Sequence, residues 1–221
     1  NEMMANLSLF IKRQDLSNVL FLNEIYQAML QNGGAKGIVL DLGTRWGRNM
    51  AMFSSLRGIY EPYNHNRKIV GLDTFEGHIS TRADKDGDGK LLEHGSIATT
   101  CGYETYLETL MITLEQESPI QHKKKFEILK GDAPKELDKY IEKHPETLIS
   151  MAYFDFGVYE PTAECLKLIL PRMPKGAVIG FDQLNCELTP GELVAFDEQI
   201  GIRNYRIRQS PFSPTQSYII L

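Results

Sequence analysis

Cysteine is scarce and scattered in this chain. Cys101, Cys165 and Cys186 are odd in number and far apart, with no Cys-x-x-Cys pair and no Cys/His cluster. That pattern excludes a disulfide framework and a zinc module, and a reducing, cytoplasmic setting is the expectation. Long apolar runs are also missing. No stretch reaches the roughly 18–20 residues of a membrane span, and Asn1-Glu2-Met3-Met4 lacks the basic-then-apolar pattern of a secretion signal. Positive charge is not in excess: Lys and Arg total 24 against 29 Asp and Glu, a net charge of −5. Neither nucleic acid nor an anionic membrane is therefore expected as a partner, since both require a basic field. What remains is an ordinary globular balance. The chain has 221 residues, 42% apolar and 24% charged, enough for a single domain with a full core.

Periodicity divides the chain into alternating elements. Residues up to about 30 read as a helical cap within 1–36. Leu16, Val19, Leu20 and Asn23 share one stripe, and Leu22, Ile25, Tyr26, Met29 and Leu30 widen its apolar face. Asn32-Gly33-Gly34 supplies a stop signal. Buried strands are predicted at 37–41, 68–73, 126–130, 147–155 and 176–182, because their apolar runs are short and rich in β-branched residues. Helices are predicted at about 47–57, 103–117, 134–143, 161–170 and 191–200. The chain closes with two strands at 204–208 and 217–221, joined by a Ser/Pro turn.

This alternation implies an α/β fold with right-handed crossovers, a mostly parallel sheet covered by helices on both faces, and an antiparallel C-terminal strand pair. Residues 77–102 break the rhythm after the second strand, where such folds bind ligands, so a lid-like insertion is expected.

The strand ends carry the chemistry. Asp41, Asp73, Asp155 and Asp182 close or directly follow four strands, and Asp132 follows the third. Singly, each suits a turn or a helix cap. Together on one rim they repel one another unless a ligand or a cation offsets the charge. The first turn, Asp41-Leu42-Gly43-Thr44-Arg45-Trp46-Gly47, is neither the dinucleotide fingerprint nor a P-loop. A looser glycine turn flanked by acids suits a ligand with a nucleoside and a cationic, amino-acid-like end. Asp73 can accept from both ribose hydroxyls and Asp132 from an adenine amino group.

In this layout the chain resembles the class I S-adenosylmethionine-dependent methyltransferases, and within them the macrocin O-methyltransferase-like family of sugar and natural-product enzymes. The resemblance rests on three segments: Gly71-Leu72-Asp73-Thr74-Phe75-Glu76-Gly77, Tyr153 to Thr162 with its Tyr159-Glu160-Pro161-Thr162 string, and Pro171 to Asp182. It implies a Rossmann-like seven-stranded sheet and an O-methyltransferase acting on a hydroxyl of a sugar, nucleotide-sugar or glycosylated small molecule. It also implies S-adenosylmethionine held by Asp41, Gly43, Thr44, Gly47, Asp73, Thr74, Asp132 and Asp155. Asp155 is the implied general base, and Asp155 with Asp182 the implied ligands of a Mg²⁺ ion.

Two departures bear on the metal and the base. Where the family commonly has a further acid, this chain has Gly157, and beside Asp182 stand Phe181 and Gln183. A homologue that binds the donor but has lost or altered catalysis is therefore the alternative reading. A nicotinamide-dependent oxidoreductase is a third, disfavoured by the missing fingerprint.

Other residues are weighed more briefly. His94 is the second candidate base, His78 a candidate acceptor contact, and His65 a surface turn. Asp155 could instead contact the donor's amino group or cap the next helix. Asp84-Lys85-Asp86-Gly87-Asp88-Gly89 copies half of a calcium loop, but Gly95 stands where the closing Glu is needed. Lys123-Lys124-Lys125 reads as a solvated turn. Trp46 and Phe156 are core or adenine-flanking residues, and Tyr153 and Phe154 read as core. The N-terminal helix is apolar enough to cover the sheet edge or a second subunit, so a homodimer is an open expectation.

Overall fold

Strands buried on both faces need mostly apolar runs; residues 38–42, 69–73, 149–154 and 178–181 have them, whereas 126–130, with Glu127 and Lys130, lies at the sheet edge. The computed structural model describes residues 6–32, 37–79, 81–87 and 94–221. In it β1 (Ile38–Leu42), β2 (Ile69–Asp73), β3 (Phe126–Lys130), β4 (Ile149–Phe154) and β5 (Val178–Phe181) pair in parallel. β7 (Ser217–Ile220) runs antiparallel to β5, and β6 (Arg208–Gln209) antiparallel to β7. The sheet order is β3-β2-β1-β4-β5-β7-β6. β1 sits centrally, with the order reversing beside it, and crevices open at such a switch point.

Seven helices accompany the described sheet: α1 (Arg13–Gln31), α2 (Arg48–Tyr60), the single turn α3 (Ala83–Asp86), α4 (Tyr103–Glu115), α5 (Ala133–Lys143), α6 (Tyr159–Ile169) and α7 (Gly191–Gln199). Side chains alternate across a strand, and the two cores follow that alternation. Ile38, Leu40 and Leu42 pack with Leu137, Leu166, Ile169 and Phe196 of α5, α6 and α7. Val39 turns the other way, toward Phe21 and Ile25 of α1, Phe53 of α2 and Leu107 of α4. Asp41 shares the parity of Val39, which aims it beneath the rim rather than along it.

The structure corrects several expectations. α1 buries Phe21, Leu22, Ile25, Tyr26 and Met29, while Leu16 (48% exposed) and Leu20 (39% exposed) face outward. The stripe that packs is the one through Phe21 and Ile25, and the real polar member of the buried face is Asn18, not Asn23. The strand expected at 204–208 shrinks to two residues, since 201–207 makes turns instead. Lys125 is not solvated. It is 1% exposed and pairs with Glu115 at 2.6 Å, and Glu115 also pairs with buried Arg57.

The half calcium loop has a different purpose. Asp86 is fully buried and accepts the N–H groups of Tyr159 (2.6 Å) and Arg82 (2.7 Å), and Asp84 pairs with Arg82. Asp88 and Gly89 of that motif, Gly33 and Gly34 of the stop signal, and Asn1 to Ala5 lie outside the described residues. Within the insertion, Gly95 N–H donates to the His78 carbonyl at 3.0 Å and Thr99 N–H to that of Phe75 at 3.2 Å. Lys85 of α3 reaches Glu198 of α7 at 2.6 Å.

Candidate active site

The carboxyl ends of β1 to β5 frame a cavity of about 820 Å³. Its walls include Gly43, Thr44, Asp73, Asp132, Asp155 and Asp182, so five of the eight residues expected to hold the donor, and both acids expected as metal ligands, meet in one hollow. Thr74 lines it too, which makes six donor residues. Asp41 and Gly47 are not in its lining. Gly77, His78, Ile79 and Ile97 of the insertion close one side, and Trp46 stands at the wall with its ring edge-on to Tyr103 at 4.7 Å.

The β1 turn shows why glycine is needed. Gly43 has φ +97°, and a Cβ there would lie 2.4 Å from the Asp155 carbonyl oxygen, so the ends of β1 and β4 touch only because no side chain intervenes. Gly47 serves packing instead, since a Cβ would meet Leu107 at 2.2 Å.

Asp73 ends β2 with both oxygens already engaged. Oδ1 accepts Phe75 N–H (2.6 Å) and Oδ2 accepts Arg45 N–H (2.8 Å). Each oxygen keeps a second lone pair, so the carboxylate is a fixed, two-pronged acceptor at the cavity wall. Burial raises its pKa, against the opposing pull of those two N–H groups. Thr74 has its hydroxyl closed into a local turn, donating to the Gly77 carbonyl at 2.8 Å. Asp132 precedes α5, half-exposed, and pairs with Lys135 at 2.9 Å.

Below this wall Asp41 is fully buried, and neither of its carboxylate oxygens has a hydrogen-bond partner among the described residues. Thr44 donates to the Asp41 carbonyl, not to its carboxylate. Burial, with a smaller push from Asp73, raises its pKa to about 7. An orphaned buried acid of this kind takes up a proton more readily, and a cation brought near it favours the charged form. Together, Asp41 and the open lone pairs of Asp73 fit a donor with an amine at one end and a ribose at the other.

The opposite arm of the cavity belongs to β4 and β5. Phe154 and Phe181 are register partners, so Asp155 and Asp182 leave adjacent strands side by side. A chain of amides runs beneath them. Asn49 Nδ2 donates to Asp155 Oδ2 (3.1 Å), Asn18 Nδ2 to Asn49 Oδ1 (3.3 Å), and Gln216 Nε2 to both Asn18 Oδ1 and Asp182 Oδ1 (2.8 Å each). Tyr153 also donates its hydroxyl to Asp182 Oδ1 at 2.7 Å.

Glu192, the second residue of α7 and fully buried, accepts Phe156 and Gly157 N–H on Oε1 and Gln183 N–H on Oε2, at 2.9–3.1 Å. One carboxylate thus ties together the two turns that carry Asp155 and Asp182. Burial moves Asp155 well above the usual carboxylate range, helped by Asp182, Glu192 and Asp41 and opposed by Arg48. Burial likewise raises Glu192 to about 8 despite its three N–H donors. His78 is pushed down by burial and hence neutral near pH 7. His94 and His65 are exposed and outside the cavity wall.

The chain offers a magnesium ion at most two carboxylate oxygens here, one each from Asp155 and Asp182. Asp155 and Asp182 each have one oxygen committed to an internal amide or phenol. Gly157 offers no ligand, and the Gln183 carbonyl oxygen accepts from Thr189 at 2.7 Å. Among the described residues no three His, Cys, Asp or Glu are placed to hold a metal ion.

No protein-family model and no curated protein sequence matches the chain. Solved structures do. The chain is similar to "CalS11, Calicheamicin Methyltransferase" at 33% identity over 99% of this chain and 84% of that one, with a TM-score of 0.94. An apo structure of CalS11, described as a TDP-rhamnose 3′-O-methyltransferase, matches at 31% identity over 99% of this chain and 85% of that one, TM-score 0.84. The chain belongs to the class I S-adenosylmethionine-dependent methyltransferases. The O-methyltransferase NovP shares the fold, at 13% identity over 92% of this chain and 79% of that one, TM-score 0.65.

The methyltransferase takes S-adenosylmethionine as its donor, and the nicotinamide alternative falls away. Its site contains residues that strand-end reasoning missed: Asn18, Asn49, Glu192 and Gln216. The signal for Asn18 was a polar residue at helical spacing among buried ones. Gln216 shows no signal in the sequence.

Proposed function

We propose that this methyltransferase methylates a hydroxyl of a sugar, nucleotide-sugar or glycosylated small molecule. The observation that carries the proposal is the two-armed cavity. Its Asp73–Asp132 arm suits a nucleoside, and its Asp155–Asp182 arm presents open carboxylate oxygens suited to hydroxyls. CalS11, named as acting on TDP-rhamnose, supports the sugar assignment.

The bound donor supplies an electrophilic methyl group on a sulfonium. The chain's own residues do the rest. Asp73 accepts from the ribose hydroxyls, Asp132 from the adenine amine, and Gly43 and Thr44 let the donor approach the β1 turn. Asp41 answers the cationic amino end from below the floor. Asn49 fixes Asp155 Oδ2 and leaves Oδ1 to take the proton of the attacking hydroxyl. A pKa raised by burial makes Asp155 a stronger base once it is ionised. Alignment supplies most of the acceleration, since a displacement at a methyl group asks chiefly for proximity and a straight approach.

The reading of the 77–102 insertion as a lid is supported by its described residues Gly77, His78, Ile79 and Ile97, which wall the cavity. No described helix is long and apolar enough to cross a membrane, and three free cysteines agree with a cytoplasmic setting. The outward apolar residues Leu16 and Leu20 of α1 support a homodimer, which sedimentation checks. Calorimetric titration with S-adenosylhomocysteine tests the donor half, and methyl transfer to TDP-rhamnose tests the acceptor half. No binding of S-adenosylhomocysteine at submillimolar concentration would overturn the proposal.

A further inference from the structure

Three open polar atoms face the acceptor arm of the cavity. The amide chain and Tyr153 use one oxygen of Asp155 and one of Asp182, and the other oxygen of each has no partner among the described residues. Neither is a sealed atom: among the described residues, the sealed carboxylate oxygens without a hydrogen bond belong to Asp41, Glu104 and Glu115, the last of these ion-paired with Lys125. Gln183 supplies the third. Its carbonyl oxygen takes the Thr189 hydroxyl at 2.7 Å, which turns Nε2 away from Thr189, and Nε2 has no partner among the described residues. Gln183 also lies over Gly157. Gly157 has φ +68°, and a Cβ there would come within 2.8 Å of Gln183 Oε1 and 3.8 Å of Thr189. The amide therefore fills the space that a side chain at 157 would enter, and the two departures from the acidic pattern form one packed unit.

The chemistry of that unit is specific. Two open carboxylate oxygens accept from two hydroxyls. An amide N–H₂ carries positive partial charge, so it attracts a hydroxyl oxygen and opposes a cation in the same space. Tyr153 and Gln216 engage one oxygen of Asp182 from inside, and Asn49 engages one oxygen of Asp155. Magnesium asks for near-octahedral oxygen donors, and here one of the positions facing it is a donor N–H.

We propose that the acceptor is a vicinal diol held directly by the protein. The hydroxyl to be methylated donates to Asp155, its neighbour donates to Asp182 and accepts from Gln183 Nε2, and no divalent ion takes part. This inference rests on the proposed sugar O-methylation and names the group recognised. Gln183 is thus a specificity-determining residue, and Thr189 is the positioning residue that aims it.

The test has two readouts on the full chain saturated with S-adenosylhomocysteine. In the first, Mn²⁺ alone is titrated and followed by electron paramagnetic resonance. The wild-type protein shows no saturable binding up to several millimolar, whereas Gly157→Asp/Gln183→Glu gains it while keeping its affinity for S-adenosylhomocysteine. Saturable submillimolar Mn²⁺ binding by the wild type overturns the ion-free assignment.

In the second, TDP-rhamnose is titrated with saturation-transfer NMR in EDTA. Gln183→Ala weakens it about tenfold, the loss of one hydrogen bond, and leaves S-adenosylhomocysteine affinity unchanged. Thr189→Val gives a smaller loss in the same direction. Equal affinity in Gln183→Ala and wild type, or no binding of TDP-rhamnose without added Mg²⁺, overturns the diol assignment. Failure to bind S-adenosylhomocysteine would instead strike the functional proposal itself, so the two failures are distinguishable.

Discussion

Donor binding should release protons, and Asp41 sets the amount. Its carboxyl is fully buried without a partner, and its pKa stands at about 7 against an ordinary 3.8. That difference represents about 4 kcal/mol disfavouring the charged form. A cationic amine docked in the cavity above it lowers that pKa through the wall. At pH 7 a group of pKa 7 is half protonated, so binding should release up to about half a proton from Asp41, and up to about 0.9 at pH 6.

Isothermal titration with S-adenosylhomocysteine in phosphate and in Tris measures this, because the two buffers take up a proton with different enthalpies. The apparent binding enthalpy should differ between buffers in proportion to the protons released. Asp41→Asn, which keeps the shape and removes the proton, should abolish this share and weaken binding. A buffer-independent enthalpy, or proton uptake, would refute the reasoning that places the donor's amine over Asp41.

The same groups fix how stability depends on pH. Asp41 and Glu192 have raised pKa values, about 7 and about 8. Their contribution is whole below the ordinary carboxylate range and lost as pH rises through those values, so the ligand-free Tm should fall from about pH 4 to about pH 8 and level off above that. A calorimetric scan showing a flat or rising Tm would contradict that. Asp73→Ala should weaken S-adenosylhomocysteine by about 1–3 kcal/mol through lost acceptors, and an unchanged titration would move the ribose elsewhere. Glu192→Ala strips the acceptor from three N–H groups, costing about 3 kcal/mol, which for a chain of this length lowers Tm by about 6–12 °C; thermal unfolding reads it, and no shift would show that the clamp holds nothing. Glu115→Ala leaves Arg57 and Lys125 as buried cations and should cost about 3–5 kcal/mol in a denaturant titration, with a loss within error refuting the buried cluster.

Much of the fold was legible because its physics is local. Five apolar runs too short for helices became β1 to β5, with β3 matching its expected limits at Phe126 and Lys130 and the others within a few residues. The rim acids were legible because a parallel sheet brings all its carboxyl ends to one side. The errors also have local causes. Leu16 and Leu20 follow helical spacing as well as Phe21 and Ile25 do, and only tertiary contact decides which stripe packs. Lys125 was misread because its partners, Glu115 and the carbonyls of Ile120 and Lys123, gather around it only after α4 folds back along β3.

Polar residues that orient a site are harder to read than the residues that act in it. Asp155 and Asp182 stand at strand ends, where position alone makes them suspect. The amides that aim them come from α1, α2 and the segment before β7, at separations of 31, 106, 34 and 198 residues. No spacing rule links Asn18 to Gln216, because their meeting depends on α1 crossing the sheet face next to β7. Two adjacent buried acids must still be stabilised by something, and in principle the candidates are a cation, a shared proton or a ring of neutral donors. This chain contains part of such a ring, and Asp155 still stands well above the ordinary carboxylate range, so a ligand has repulsion left to offset. The neutral donors Asn49, Gln216 and Tyr153 each cap one oxygen and leave the other free, so the same contacts that make the pair tolerable also fix which oxygens remain to meet a hydroxyl.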